Sequence, residues 1–397
     1  MGFKKWVVKS DNIEINEIKL KAQVFSKKFK ISLIVAEILI IRGMDTEEKI
    51  QNHLLNNNFS NPFLLKDMEK AVERIKIAYE NQEKILICGD YDADGITATY
   101  ILYHYLENYG CDVKFYIPER SDGYGLSKKL IASAKNNSIT LIITVDNGIS
   151  CFEEIEFSKA MGIDVIVTDH HKPPEKIPVC CAVIDPHQED CQSPIGAKNL
   201  CGAGVALKLI LAIEGEEDYL ESFCFEYYCQ IAAIGTIADI VSLKDENRFI
   251  VQKGIEFIKN SDVSGLIALF NNAGVDIKKV NSGNIAFGIV PRINATGRMN
   301  SAKMALNLLL CENEEEVLFY VNEISSQNNK RKETEQFIIE EIEKDIKENP
   351  EKLNGRIGIF YNQGWNHGVI GIVCARLMEK LQKPIILISI ENGEARG

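Results

Sequence analysis

Several common functional devices are missing from this chain of 397 residues, and each absence removes a class of activity. There is no GxxxxGK[ST] stretch and no GxSxG, so nucleotide-driven motor work and serine hydrolysis lose their usual sequence support. The longest apolar stretch near the N-terminus, ISLIVAEILII, is interrupted by Glu37 and falls far short of the roughly 20 residues that a membrane span needs. Neither a basic leading region nor a cleavage-like site marks a signal peptide, so the chain is expected to be cytoplasmic, with no membrane partner. The 11 cysteines are odd in number, scattered and without CxxC pairs, which favours free thiols over a structural zinc site. Positive charge is also short: 45 Lys and Arg against 57 Asp and Glu leave a net charge of -12, which argues against general adhesion to nucleic acid but leaves room for a local basic groove.

What is present is a globular composition, 46% hydrophobic and 26% charged, which predicts packed cores rather than disorder. At roughly 100 to 200 residues per domain, the length implies two or three domains. KILICGD, TLIITVD and DVIVTDHH are short, β-branched-rich apolar runs without polar alternation, the pattern of strands buried on both faces of a parallel sheet. After the first comes ITATYILYHYLENYG, with Ile96, Tyr100, Tyr103 and Leu106 near helical spacing, and between the second and third lies CFEEIEFSKAMG. These are βαβ units of an α/β fold.

In such sheets ligands bind beyond the carboxyl ends of the strands. Asp90, Asp92, Asp94, Asp146, Asp169, His170 and His171 all fall just past those ends. So many acidic and imidazole groups in one crevice repel one another and lose hydration unless a strongly positive species sits among them, and divalent metal is the economical explanation. DxDxDG also opens an EF-hand calcium loop, but the twelfth position from Asp90 is Ile101 rather than Glu, and an apolar strand rather than a helix precedes it. Carboxylates with imidazole and no thiolate cluster suit manganese, or magnesium. Their number implies two ions, roughly 3.5 to 4 Å apart, of the kind that assist in-line displacement at phosphorus. The chemistry indicated is phosphoester hydrolysis.

At these residues the sequence resembles a known family. DYDADG, VDNG and TDHH are similar to the first three motifs of the DHH phosphoesterase superfamily, and SNPFLLKDMEKAVERI, PERSDGYGLS, LCGAGVALKL, AAIGTIADIV, PRINATGRM and GWNHGVIGIVCARL extend the likeness to the RecJ-type exonucleases. The match runs from about residue 31 to the end, in the family's order. The resemblance implies Asp92 on one metal, Asp94, His170 and Asp239 on the other, and Asp146 bridging them. Asp90 is implied as a further or outer ligand and His171 as a contact to the scissile phosphate. Cys88 stands where many relatives carry a histidine, which bears on the first ion.

The resemblance further implies a 5′ to 3′ exonuclease for single-stranded DNA, acting in repair and recombination and releasing 5′ mononucleotides, with a single-strand-binding protein or helicase as partner. Arg120 occupies the place that contacts a terminal 5′ phosphate. Arg292, Asn294 and Arg298, which combine phosphate donors with a flexible glycine, are expected to track the strand. The stretch from Cys311 to Asn349, free of Pro and Gly, reads as a long helix on which NNKRKE forms a solvated face. RIGIFYN, GWNHGVIGIVCARLMEKL and KPIILIS then form another βαβ unit, with His367 among glycines at a helix start, where amides could meet phosphate. The expected organisation is a helical segment over 1–50, a DHH catalytic domain over 51–310, a linking helix over 311–350, and a smaller α/β domain of DHHA1 type over 351–397. That last domain is expected to be incomplete, since the chain stops at GEARG, where relatives continue with a serine and arginine motif and an OB-type domain. Two alternatives remain: a DHH phosphodiesterase for short oligonucleotides, cyclic dinucleotides or pyrophosphate, and a binding scaffold without catalysis.

Overall fold

The computed structural model describes residues 15–55, 59–120, 123, 125–215, 217–299, 301–391 and 393–397. The first fourteen positions of the expected N-terminal segment, and part of the PERSDGYG loop, lie outside the described residues. From Ile15 the chain forms helices Ile15–Phe29, Leu33–Ile41 and Glu47–Leu55, whose Phe25, Leu39, Ile40 and Ile50 build a small core of their own.

Five strands form one parallel sheet: β1 (Lys84–Cys88), β2 (Asp112–Tyr116), β3 (Ile139–Val145), β4 (Asp164–Thr168) and β5 (Ala182–Ile184), in the order β2-β1-β3-β4-β5. Alternate residues feed two separate cores. Ile85, Ile87, Ile143 and Ile166 pack on one side, and Leu86, Cys88, Ile142, Val165 and Val167 on the other, which is why these runs carry no polar alternation. The chain leaves β1 sideways to β2 and returns on the opposite side as β3. That reversal opens a crevice at the carboxyl ends of β1 and β3.

Helix Ala93–Tyr109 springs from the crevice and ends at Gly110, whose φ of 98° suits the left-handed turn out of a helix. It is buried all round from Ala93 to Leu102, rather than along one stripe, because helices Gly202–Glu214 and Phe223–Ala238 pack against it away from the sheet. Tyr103, placed on the apolar face by its spacing, is only half-buried and meets Phe115 edge-on at 5.0 Å.

Helix Glu314–Glu348 has 35 residues and is therefore about 52 Å long. Val317, Val321 and Ile324 enter the main core, while Ile338 and Ile342 enter a second core with Phe360, Trp365, Val369 and Leu387. The NNKRKE segment is not wholly solvated. Asn329, Lys330 and Lys332 are exposed, but Asn328 and Arg331 turn inward, with Arg331 bonded to Asn328 Oδ1 and Glu335 Oε2, both at 3.2 Å. The second core belongs to β6 (Gly358–Gln363), helix His367–Leu381 and β7 (Ile385–Glu391), a parallel βαβ unit edged by antiparallel β8 (Glu394–Arg396).

Candidate metal centre

Four acidic positions reach the crevice from three separate pieces of chain. Asp92 caps helix Ala93–Tyr109, its Oδ1 accepting from the amides of Asp94 at 2.9 Å and Gly95 at 3.0 Å. Asp94, one residue into the first turn, accepts from the Gly202 and Ala203 amides at 2.6 and 2.9 Å, so the start of helix Gly202–Glu214 clamps it. Asp146 follows β3 with φ 62°, a backbone uncommon outside glycine. Asp239 ends helix Phe223–Ala238, and the next residue, Ile240, also has positive φ, 59°.

These residues converge in two overlapping sets. Ligand-capable atoms of Asp90, Asp92 and Asp146 lie within 4.8 Å of one another, and so do those of Asp94, His170 and Asp239. Asp146 with His170 and His171 makes a third set that joins the two. His170 Nε2 stands 3.0 Å from Asp146 Oδ1 and 3.7 Å from both Asp94 Oδ2 and Asp239 Oδ2. None of the three carboxylates meets it in hydrogen-bond geometry, although the atom is buried. Asp90 Oδ1 is likewise buried without a hydrogen bond among the described residues.

The electrostatics follow from that crowding. Burial, and then the charge of Asp92, pushes the Asp90 carboxyl up to about 7. Burial and then Asp94 raise Asp239 to about 6. Asp146, surrounded by Asp94, Asp92 and Asp90 as well as buried, lies well above the usual carboxylate range. Buried acids whose ionisation is suppressed by one another, with an imidazole nitrogen aimed among them, are the donors that a divalent cation would relieve and hold. This donor set fits two hard or borderline divalent ions.

Asp169 does a different job from its neighbours. Its oxygens accept from the amides of Ile149, His170 and His171 and from His171 Nδ1 at 2.7 Å, so it shapes the turn and belongs to none of the three sets. Burial works against its ionisation, but these donors outweigh it and hold the carboxyl below its ordinary value. In return the Asp169 bond holds His171 up to about 9, which leaves a charged, half-exposed ring at the rim.

Arg120 and Arg298 make one side of the crevice basic, near enough for the charge of Arg120 to act at Asp90 and for that of Asp92 to act at Arg298. The Arg120 guanidinium lies 4.3 Å from the centre of the Tyr91 ring, and its Nε donates to Gly297 O at 3.1 Å. Arg298 donates to Gly368 O at 2.8 Å; burial, then Arg120 and Arg331, lower its pKa to about 10. Asn294 is turned partly to structural use, because its Oδ1 accepts from the Ala93 amide at 2.8 Å. Arg292 donates to Gly288 O at 2.6 Å while its Nε stays buried without a partner among the described residues. Gly297 is not the flexible point that the sequence implied. It lies inside helix Val290–Met299, where a Cβ would stand 2.4 Å from Tyr91 O, so its use is close approach. His367 opens its helix, 3.5 Å from Glu391 Oε2.

Sequence reasoning missed Asp185. It follows β5, is fully buried, and has one oxygen on the His187 amide at 2.7 Å and the other without a hydrogen bond among the described residues. The signal was there, since AVID repeats the pattern of an apolar run ending in aspartate, but three residues are too short to stand out as a strand.

A parallel sheet whose switch point gathers DYDADG, VDNG and TDHH in one crevice defines the DHH class of phosphoesterases, and the model of the DHH family, N-terminal domain, matches residues 84–236. Within that class the chain belongs to the RecJ family. It is 32% identical to the exonuclease RecJ of a manganese-bound crystal structure, covering 82% of this chain and 80% of that one with a TM-score of 0.73. Against RecJ from Thermus thermophilus in complex with Mn2+ the TM-score is 0.79, at 29% identity, over 93% of this chain and 52% of that one. The single-stranded-DNA-specific exonuclease RecJ of Bacillus subtilis is 38% identical over 95% of this chain and 47% of its own length, and that of Escherichia coli is 34% identical over 84% and 60%. The chain thus spans about half to three-fifths of the curated relatives it matches.

Proposed function

We propose that the chain is the catalytic part of a 5′ to 3′ exonuclease for single-stranded DNA, hydrolysing phosphodiester bonds with two divalent ions and releasing 5′ mononucleotides. The observation that carries this reading is the juxtaposition of an acidic floor with a basic wall in one crevice. Carboxylates suppress each other's charge on the floor, and Arg120 and Arg298 crowd each other on the wall. A phosphodiester seated on cations relieves both.

Asp90, Asp92 and Asp146 would hold one ion, and Asp94, His170 and Asp239 the other, with Asp146 within reach of both. Manganese or magnesium there supplies Lewis acidity, acidifying a water and offsetting charge that develops on the phosphoryl oxygens. The chain's own residues supply the rest. His171, kept protonated by Asp169, is a cationic donor for the scissile phosphate. Arg120 has its Nε on Gly297 O and its face on Tyr91, so its terminal nitrogens are the ones offered to a 5′ phosphate. Arg292, Arg298, the amide nitrogen of Asn294, and His367 at its helix start would follow the strand. Contacts of this kind give salt-dependent affinity with little sequence preference.

No helix among the described residues is long and apolar enough to cross a membrane. The setting proposed is cytoplasmic DNA repair and recombination, with a helicase or single-strand-binding protein presenting the strand. Incubating the protein and manganese with 5′-phosphorylated single strands, duplexes and dinucleotides tests the reading. Mononucleotides from single strands alone support it. Cleavage confined to dinucleotides selects a small-substrate phosphodiesterase, and binding without cleavage selects a scaffold. Asp146→Ala, which removes the carboxylate within reach of both sets, should abolish turnover.

A further inference from the structure

Helix Ala93–Tyr109 starts at the metal centre, but its other end lines a separate cavity of about 590 Å³. From Asp94 to His104 along the axis is about 15 Å. The cavity lies where that helix meets the end of helix Gly202–Glu214, the start of helix Phe223–Ala238, and the 309–312 connection that leads into the long helix. Its size is that of an ordinary small-ligand site.

Four rings run in series from the interior to the mouth. Tyr100 and His104 stack at 5.1 Å with planes 14° apart, and His104 and Tyr227 stack at 5.3 Å, again 14° apart. Phe223 follows Tyr227 at 5.6 Å and is 76% exposed, so an aromatic face stands open to water at the outer end. The polar tips of the stack are satisfied internally: Tyr100 and Tyr227 hydroxyls meet at 3.0 Å, and His104 Nδ1 meets the Tyr228 hydroxyl at 2.8 Å. Burial keeps the His104 imidazole below its usual pKa and thus neutral.

The charge around these rings has one sign. Glu214, Asp262 and Glu312 line the cavity, and none of the described residues lining it is Lys or Arg. Glu214 accepts the Tyr105 hydroxyl at 2.8 Å, whereas Asp262 and Glu312 stand exposed. The fields of Asp262 and Glu312 both reach Tyr227. A nucleotide phosphate would be repelled here. We infer that this cavity binds an organic cation with a flat face, a guanidinium, stacked on Phe223 and paired with Asp262 and Glu312. The guanidinium comes either from an arginine side chain of a partner protein or from a free small molecule.

Titration calorimetry of the full chain with L-argininamide, and with L-citrullinamide as its neutral isostere, tests the assignment. Argininamide should bind about tenfold tighter or better. Phe223→Ala and Glu312→Gln, both at exposed positions, should each weaken it about fivefold and leave single-strand cleavage and circular dichroism unchanged. A capped Gly-Arg-Gly peptide that binds more tightly than argininamide assigns the site to a partner's arginine, and equal binding assigns it to a free cation. Equal affinity for argininamide and citrullinamide, no binding at millimolar concentration, or unaltered binding by both variants overturns the proposal.

Discussion

Replacing Gly202 with alanine adds a single methyl group, and the structure places it against the proposed shared ligand. The new Cβ would stand 2.6 Å from Asp146 Cβ and 2.8 Å from its Cγ. Carbon atoms rest about 3.5 to 4.0 Å apart, so about 1 Å of separation must be found. Helix Gly202–Glu214 cannot easily yield, because it is buried along its length and its first two amides hold Asp94 at 2.6 and 2.9 Å. The displacement therefore falls on Asp146, or on the Asp94 clamp, and either opens the metal sets. A misplacement of about 1 Å at a reacting centre costs roughly a hundredfold in rate. The fold itself should survive: overpacking costs about 1 to 3 kcal/mol, and alanine in place of glycine in a helix returns up to about 1 kcal/mol. Calorimetry should show manganese affinity reduced about tenfold or more, and cleavage of single strands at saturating substrate about a hundredfold slower, with circular dichroism unchanged. Parent turnover together with parent manganese affinity would refute the reasoning, since it would mean that Asp146 need not stand where it does.

Three other perturbations have outcomes set by local charge and packing. Lys208, with no exposed surface, lies 2.7 Å from Glu246 and 3.7 Å from the centre of the Phe59 ring, so Lys208→Met strands a buried carboxylate and should cost about 3 to 5 kcal/mol in urea denaturation, while adding Glu246→Leu should recover most of it. In chelator-treated protein, Asp90 at about 7 and Asp239 at about 6 lie above their unfolded value of 3.8, so the folded state holds extra protons; the stability they add is present near pH 4 and is lost as pH rises through 6 and 7, at up to about 1.4 kcal/mol per group for each tenfold change in acidity. The melting temperature should fall across that range in chelator and hold level in saturating manganese, and a rise in chelator would contradict it. Gly368→Ala puts a Cβ 2.7 Å from Arg298 O, so KM for single strands should rise several-fold with manganese affinity intact, measured by steady-state cleavage and calorimetry.

The strands were legible where burial was symmetrical. Leu86 and Ile87 enter opposite cores, so β1 needs no polar face and reads as an unbroken apolar run, as do β3 and β4. β2 was not, because DVKFY at the sheet edge mixes exposed and buried positions, and β5 is only three residues long. Local sequence also identified DYDADG and TDHH as one site, since each follows a strand that ends at the crevice. It could not separate the roles inside TDHH: Asp169 and His170 are adjacent, yet one is tied down by surrounding donors and the other is aimed at three carboxylates. That division depends on Ile149 and Asp146 arriving from another strand. Arg331 was misjudged for a similar reason. Its neighbours are charged and exposed, and only the packing of the second unit, where Arg376 lies 2.6 Å from Glu335, brings that side of the helix indoors.

The backbone explains how such a crowded acidic site keeps its shape. Asp92 is held by the amides of Asp94 and Gly95, Asp94 by those of Gly202 and Ala203, and Asp169 by those of Ile149, His170 and His171. These donors are fixed by helix starts and turns, so they offset negative charge without adding a flexible cationic side chain to the crevice. Asp90 Oδ1 and His170 Nε2, one in each metal set, are buried without a hydrogen bond among the described residues. A divalent ion entering either set meets positions already determined, and the ordering cost that usually weakens binding is small. The ions are thus required for charge balance and for chemistry more than for folding the site, which is why one methyl at Gly202, acting on position alone, is expected to damage it so severely.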